Sequence, residues 1–243
     1  MGLSSEIFRP EPRATGILPA QEIRALIRAG KIGATAEISE DQIQPATLDL
    51  RLGKVAYRVQ ASFLPGESST VDTKIQHLKL SEIDLGRPAL LEKGAVFIVP
   101  LMESLALPGD TSGKANPKST TGRLDIFTRL ITDAVTDEPV EFERVPKGYS
   151  GSLYVEIVSR TFPIVLKEGA RLTQVRFVHG VGNPSGDGAL TRLAKEEDLV
   201  FENGDAPAEA VVNRGLRISI DLEGDSNQRI IGYRAKKTTP QLT

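Results

Sequence analysis

The 243-residue chain contains no cysteine and only two histidines, His77 and His179. The missing cysteines exclude disulfides, thiolate nucleophiles and thiolate-bound zinc. The two histidines stand in unrelated sequence contexts, which argues against a histidine-based metal cluster. Any catalysis by this chain therefore has to use carboxylates, arginine or lysine, hydroxyl groups, backbone groups and water.

The chain also lacks long hydrophobic runs and an excess of positive charge. No run of about 18 apolar residues is present, and the opening MGLSSEIFRPEPR contains no apolar signal core. Thirty Lys and Arg side chains are balanced by 32 Asp and Glu side chains, a net charge of −2, which argues against nucleic-acid binding by bulk electrostatics. We expect a soluble cytoplasmic protein with no membrane or nucleic-acid partner.

Glycine and proline, with 22 and 15 residues, divide most of the sequence into short segments. A helix is predicted first, in ILPAQEIRALIRAGKIG, where Pro19 suits the first turn and Gly30 the end. The later segments alternate between apolar and polar residues, as strands do. This spacing, with neither GxGxxG nor GxxxxGK[ST], predicts a mainly β sandwich or barrel. The predicted strands are 46–53, 55–63, 95–101, 153–160, 162–169 and 172–180.

The composition changes after residue 180. A Gly-rich stretch, GVGNPSGDG, precedes a short helix that we predict around residues 189–199 and a strand-like stretch at 215–224. We therefore predict a main β domain over residues 1–182 and an appendage over residues 183–243.

The strand in GYSGSLYVEIVSR (148–160) carries a carboxylate, Glu156, among apolar residues. Both faces of this strand carry bulky side chains, so we expect both to be covered. Buried carboxylates are costly unless they are paired or used. One interpretation is an ion pair with Arg129, Arg144 or Arg160. The other is a general base, since desolvation disfavours the charged form and lets the group take a proton from water and return it.

The segment KANPKSTTGRLDIFTR (114–129) predicts an anion site. We expect Pro117 to break regular structure and Ser119 to cap one helical turn, which would place Ser119 and Arg123 on the same side. Free backbone N–H groups beside Arg123, with Lys118 adding charge, suit an anion. The alternative is an ordinary capped turn with a solvated arginine. The nearby TDEPVEFER (136–144) is predicted to be a solvated loop.

Taken in order, four segments resemble the dCTP deaminase family over roughly residues 17–180. They include the S-[ST]-x-x-R turn and the G-[YW]-S-G-x-x-x-x-E strand of that family. The resemblance implies a dUTPase-like distorted β-barrel or jelly roll of short antiparallel strands with a short N-terminal helix. The four segments are IQPATLDLRLG (43–53), the stretch 90–123 that ends in KSTTGR, GYSGSLYVEI (148–157) and EGARLTQVRF (168–177).

The resemblance also implies the chemistry. Glu156 would activate water for attack at C4 of the cytosine of dCTP, without zinc, and the products would be dUTP and ammonia. Mg²⁺ would arrive with the triphosphate, and the family's homotrimers, or a pseudo-trimer, would place the sites between subunits. The residues expected to contact the nucleotide are Lys118, Ser119, Thr120, Arg123, Tyr149 and Gln174.

The sequence departs from the family pattern at Pro146, where dUTPases carry the aspartate that activates water and many deaminases keep an acid as a sugar contact. Proline cannot act as a base, so we expect weak or absent dUTP diphosphatase activity. Asp133, Glu141 or Glu143 are the substitutes we consider for the deoxyribose contact. Residues 183–243 exceed the single-domain form, and the stretch GLRISIDLEGDSNQRIIGYRAKK (215–237) is interpreted as the start of a second, degenerate copy or as a lid-like tail.

Two other functions stay open from the sequence. One is a dUTP diphosphatase or a bifunctional enzyme, and the other is a non-catalytic trimeric β scaffold that binds nucleotide.

Overall fold

The computed structural model describes residues 15–135, 140–180, 186–202, 206–213, 216–218, 222–224 and 230–232. Of these, residues 15–180 belong to one compact unit and residues 186–232 to another. Within the described ranges, no helix has the length and hydropathy needed to cross a bilayer.

The first unit is built almost entirely from antiparallel strands, as the sequence predicted. Its helices are α1 (Ala20–Arg28), α2 (Val71–Leu78) and α3 (Ser119–Arg123), with a 3-10 turn at Glu40–Gln42. Its strands are β1 (Gly16–Ile17), β2 (Ile32–Ala34), β3 (Leu48–Arg51), β4 (Val55–Val59), β5 (Lys79–Asp84), β6 (Ala89–Leu91), β7 (Val96–Ala106), β8 (Thr111–Pro117), β9 (Ile126–Ile131), β10 (Arg144–Val145), β11 (Ser150–Ser159), β12 (Ile164–Leu166) and β13 (Arg171–His179).

Two sheets dominate this unit. The first has the order β1-β13-β8-β10, with β3 also paired to β13, and the second has the order β5-β4-β7-β11-β9, with β2 also paired to β7. The short strands β6 and β12 form a separate pair. All these pairs are antiparallel, in agreement with the predicted fold class.

The two faces of β11 pack into different hydrophobic clusters. Leu153, Val155 and Ile157 join the main core, which takes side chains from both sheets and from Ile23 of α1. Tyr154 joins a second cluster, in which α2 covers the other face of the second sheet. The prediction that both faces of this strand are covered is confirmed, and Glu156 lies on the face that carries Tyr154.

The predicted helix is present as α1, with Pro19 as its N-cap and Gly30 at φ +68° just after its end. The regular strand β8 ends at Pro117, as predicted. The predicted N-cap was wrong, since Lys118, and not Ser119, is the N-cap of α3.

The second unit contains α4 (Asp187–Glu196) and a short antiparallel pair, β14 (Phe201–Glu202) with β15 (Ala206–Pro207). Residues 215 and 219–221 of the predicted strand lie outside the described residues, and Leu216 forms an isolated bridge with Val212.

Candidate active site

Glu156 forms an ion pair with Arg129, its neighbour across strands β11 and β9. The Arg129 side chain donates from Nη2 and Nε to one carboxylate oxygen, Oε1, at 2.7 and 3.1 Å. The Glu156 side chain is only 1% exposed, so the guanidinium offsets a charge that burial would otherwise make costly. Of the three arginines considered from the sequence, the structure selects Arg129.

Aromatic rings and a hydroxyl hold the Arg129 side chain. Its guanidinium lies 3.7 Å from the ring centre of Phe142 and 5.1 Å from that of Phe127. Cation–π contacts at such distances are favourable. Nη2 also donates to Ser62 Oγ at 2.6 Å. Arg129 is therefore fixed in position even though 26% of its side chain is exposed.

A surface cavity of about 280 Å³ opens beside this pair. Glu156 lies in its wall, and the second carboxylate oxygen, Oε2, is buried without a hydrogen-bond partner among the described residues. Oε1 of Glu156 thus has a charged partner, whereas Oε2 has no hydrogen-bond donor among the described residues. The cavity is lined by Ser62, Val96, Phe127, Arg129, Glu156, Val158 and Arg160.

A second polar group lies in the first sheet, where several of the predicted nucleotide contacts come together. Lys118 forms a salt bridge with Asp49, whose side chain is 1% exposed. Asp49 pairs with Gln174 across β3 and β13, and Gln174 Oε1 accepts from Thr47 Oγ1 at 3.0 Å. Asp49 Oδ1 is buried without a partner among the described residues. Lys118 and Gln174 therefore share one polar region.

The side chains of α3 that were predicted to contact the nucleotide are exposed. Ser119, Thr120 and Arg123 are all exposed, and in the described part of the chain none of them makes a side-chain hydrogen bond or ion pair. None of the residues from 118 to 123 lines the cavity at Glu156. The structure of one chain thus holds the predicted base and the predicted phosphate contacts in separate places.

Tyr149 lies inside the fold, with 1% of its surface exposed. Its hydroxyl donates to the Ser152 carbonyl at 2.6 Å and accepts from the Asp133 N–H at 3.2 Å. Burial raises the pKa of Tyr149 to about 12, so the hydroxyl stays protonated. The ring fixes the turn that begins β11, and a contact of Tyr149 with substrate stays a prediction.

The acids considered as substitutes at Pro146 have different environments. Asp133 Oδ1 accepts the Val71 N–H at the start of α2 at 2.7 Å. Glu141 is exposed and pairs with Arg144 at 3.4 Å. Glu143 is half-buried, and burial raises its pKa to about 7. Residues 136–139 of the predicted loop lie outside the described residues, but Phe142 and Glu143 show that its end is not simply solvated.

Family models match nearly the whole chain. The model of the 2'-deoxycytidine 5'-triphosphate deaminase N-terminal domain matches residues 14–181, and that of the C-terminal domain matches residues 186–242. The chain belongs to the dCTP deaminase family. The resemblance read from four sequence segments is therefore confirmed.

Curated proteins that are similar to this dCTP deaminase family member are named either "dCTP deaminase, dUMP-forming" or "dCTP deaminase". A Dictyoglomus thermophilum protein named "dCTP deaminase, dUMP-forming" is 26% identical over 199 residues, which cover 81% of this chain and 95% of that protein. A Pseudoalteromonas atlantica protein named "dCTP deaminase" is 27% identical over 165 residues, which cover 65% of this chain and 78% of that protein.

A solved structure agrees in fold as well. The crystal structure of 2'-deoxycytidine 5'-triphosphate deaminase from Agrobacterium tumefaciens is 48% identical and matches with a TM-score of 0.78. The match covers 95% of this chain and 66% of that one, so the chain spans about two thirds of that dCTP deaminase.

Sequence reasoning missed part of the site. Ser62, Phe127 and Phe142 line or hold the cavity region but carry no motif, because their proximity comes from strand pairing and not from spacing along the chain. Arg160, considered only as an ion-pair partner, also reaches the cavity wall. Across the described ranges, no three His, Asp or Glu side chains come together in a metal-binding arrangement.

Proposed function

We propose that this chain deaminates dCTP to dUTP and ammonia, with Glu156 as the general base. The observation that carries the proposal is the free Oε2 of a buried carboxylate in a cavity wall, on the strand that carries the family's G-[YW]-S-G-x-x-x-x-E pattern. A carboxylate in this setting can accept a proton from water and deliver it again.

The proposed reaction consumes one water. Glu156 takes a proton from the water as its oxygen bonds to C4 of the cytosine, and it passes that proton to N3. The remaining hydroxyl proton then moves through Glu156 to the C4 amino group. The C–N bond breaks with its electron pair on nitrogen, ammonia leaves, and the C4 carbonyl of uracil forms. Arg129 holds Oε1 during these transfers and leaves Oε2 to carry the proton.

The nucleotide would be held by its phosphates. We assign this role to the polar region of Lys118 and Gln174 and to the exposed side chains of Ser119, Thr120 and Arg123. Mg²⁺ would arrive with the triphosphate, as is usual for nucleotide substrates. Because α3 does not line the Glu156 cavity of its own chain, we propose a homotrimer or pseudo-trimer in which α3 of one subunit meets Glu156 of another.

Parallel incubations with dCTP, CTP, dCMP and dUTP, each with Mg²⁺, test this proposal. Chromatography should show dUTP and an equal amount of ammonia from dCTP. Failure of the intact protein to turn over dCTP, CTP or dCMP would reject it.

A second candidate is the formation of dUMP, which the name of the Dictyoglomus thermophilum relative supports. The feature against it is Pro146, which is buried and contributes only its carbonyl, accepting the Tyr149 N–H at 3.3 Å. Release of pyrophosphate from dCTP or dUTP would identify dUMP formation, and accumulation of dUTP without pyrophosphate would exclude it.

A further inference from the structure

Asp125 follows α3 in a backbone conformation that few residues other than glycine adopt. Its φ of +57° lies in the left-handed region, which is common just after a helix and which aspartate tolerates. Its N–H donates to the Gly122 carbonyl at 3.0 Å, as expected for a residue that closes a helical turn. Asp125 therefore fixes where α3 ends and where β9 begins.

The two residues that follow the strand β11 are bonded to Asp125. The Thr161 hydroxyl donates to the carboxylate oxygen Oδ2 of Asp125 at 2.6 Å, and the Arg160 N–H donates to the Asp125 carbonyl at 3.1 Å. A hydrogen bond to a carboxylate is stronger than one between neutral groups. Asp125 and Thr161 are both half-buried, so water competes only in part for this bond.

The beginning of α3 is bonded to the other sheet. The Lys118 N–H and the Thr121 hydroxyl both donate to the Leu172 carbonyl of β13, each at 2.9 Å. β13 belongs to the first sheet and β11 to the second. The two ends of α3 are thus attached to different sheets, and Asp125 supplies the hydrogen bonds to the end of the strand that carries Glu156.

The exposed side chains of α3 depend on this attachment. Ser119, Thr120 and Arg123 make no side-chain hydrogen bond or ion pair in the described part of the chain, so the backbone of α3 sets where they lie. Groups that bind a substrate have to be held in position, and a displacement of about 1 Å can be costly.

We propose that Asp125 is a positioning residue for phosphate binding: through its bond with Thr161 it holds the exposed side chains of α3 in the arrangement that binds the triphosphate. The inference rests on the proposed function, since these side chains are its proposed phosphate contacts. Asp125 and Thr161 act through α3 and do not touch the substrate. Their loss should therefore weaken phosphate binding and leave the proton transfers at Glu156 unchanged.

Asp125→Gly and Thr161→Val test the inference, because each removes one partner of the side-chain bond. Glycine keeps the left-handed backbone, and valine replaces the hydroxyl with a methyl group. We expect each variant to raise KM for dCTP about tenfold with kcat little changed. The double variant should be no worse than either single variant, since both remove the same bond. Asp125→Asn keeps an oxygen acceptor and tolerates the same backbone, so its KM should stay close to that of the unchanged protein.

Thr73→Val is the matched control, since it also removes a threonine hydroxyl bond, at 2.9 Å to Thr70 Oγ1 at the start of α2. It should leave KM for dCTP unchanged. Asp125→Gly and Thr161→Val variants that keep the KM of the unchanged protein overturn the inference. An equal loss of affinity for dCTP and for deoxycytidine, which has no phosphate, also overturns it, because a merely structural Asp125 would weaken both.

A second measurement needs no turnover. Calorimetric titration with inorganic triphosphate and Mg²⁺ reports the phosphate contacts without the base. Binding should be about tenfold weaker in Asp125→Gly and Thr161→Val, and unchanged in Asp125→Asn and Thr73→Val. Equal binding by all these proteins, or no binding by the unchanged protein, overturns the inference. A protein that shows the expected differences but turns over no dCTP would instead reject the proposed deamination.

Discussion

At the scale of single residues, the two interpretations of Glu156 turn out to be compatible. The ion pair with Arg129 uses one carboxylate oxygen, and the other oxygen stays without a partner among the described residues. A pair that engaged both oxygens would favour a purely structural role. The geometry therefore allows a stable buried carboxylate that still has a site for a proton.

We expect Glu156→Gln to lower kcat for dCTP deamination by about 10²–10⁴-fold, since the amide cannot accept the proton from water. The affinity for dCTP should remain nearly unchanged, because glutamine keeps the size and a carbonyl acceptor for Arg129. Ammonia release measures the first effect and equilibrium dCTP binding the second. Loss of binding together with loss of turnover would show that Glu156 is structural.

Glu143 should also make stability depend on pH. Its carboxyl ionises near 4.5 when unfolded and near 7 when folded, so folding loses stability as the pH rises from about 4.5 to about 7. The full shift corresponds to about 3 kcal/mol, and solvent screening of this half-buried group reduces it to about 1–2 kcal/mol.

Glu143→Gln removes this loss. Urea unfolding gives the free energy of unfolding of Glu143→Gln relative to that of the unchanged protein. This difference should increase in favour of the variant by about 1–2 kcal/mol between pH 5 and pH 8. Glu141→Gln should show no such growth, because its carboxyl is exposed. A difference in free energy of unfolding that is the same at pH 5 and pH 8 would contradict a raised pKa of Glu143 in the folded protein.

At the scale of elements, the strands with regular alternation were the predictable part. Strand β11 was recognised because Leu153, Val155 and Ile157 recur at every second position. Helix α2 was not recognised, since Val71 and Ile75 are its only buried residues and give one helical repeat. The surroundings of Glu143 were also missed, because its acidic local sequence indicates solvent while the burial comes from strands distant in the chain.

The first residues of strand β11 depend on Gly151. A Cβ added there would lie 2.8 Å from the Tyr149 hydroxyl and 3.1 Å from its ring carbon Cζ. The hydrogen bonds of that hydroxyl prevent the ring from moving away. We expect Gly151→Ala to lower the free energy of unfolding by about 1–3 kcal/mol.

Urea unfolding of Gly151→Ala measures this cost, with the exposed Ser150→Ala as control, expected within about 0.5 kcal/mol of the unchanged protein. Adding Tyr149→Phe removes the hydroxyl and should make the double variant more stable than the sum of the two single effects. Strict additivity would show that the clash is not with this hydroxyl.

At the scale of the whole molecule, the family could be recognised from motifs in order, whereas the assembly of the site could not. Glu156 and the predicted nucleotide contacts on α3 could be named from their segments, but no sequence pattern states that α3 stays outside the Glu156 cavity of its own chain. That separation depends on how the two sheets pack. It is the reason for proposing that the site forms between subunits.

Mixing two inactive variants tests this assembly. Glu156→Gln and Arg123→Ala should each be inactive alone, since one lacks the proposed base and the other a proposed phosphate contact. Suppose that each site takes Glu156 from one subunit and α3 from another. When the two variants are co-expressed in equal amounts, about a quarter of the sites in the mixed oligomers should then contain both an intact Glu156 and an intact Arg123. Ammonia release should then recover to about a quarter of the activity of the unchanged protein.

The control is co-expression of Glu156→Gln with the double variant Glu156→Gln/Arg123→Ala, which contains no intact base and should stay inactive. Mixed oligomers that form, as judged by co-purification through a tag on one variant, but recover no activity would show that Glu156 and Arg123 act within one subunit. In that case α3 of the same chain would have to move toward the Glu156 cavity when the nucleotide binds, since none of its residues lines that cavity in this structure.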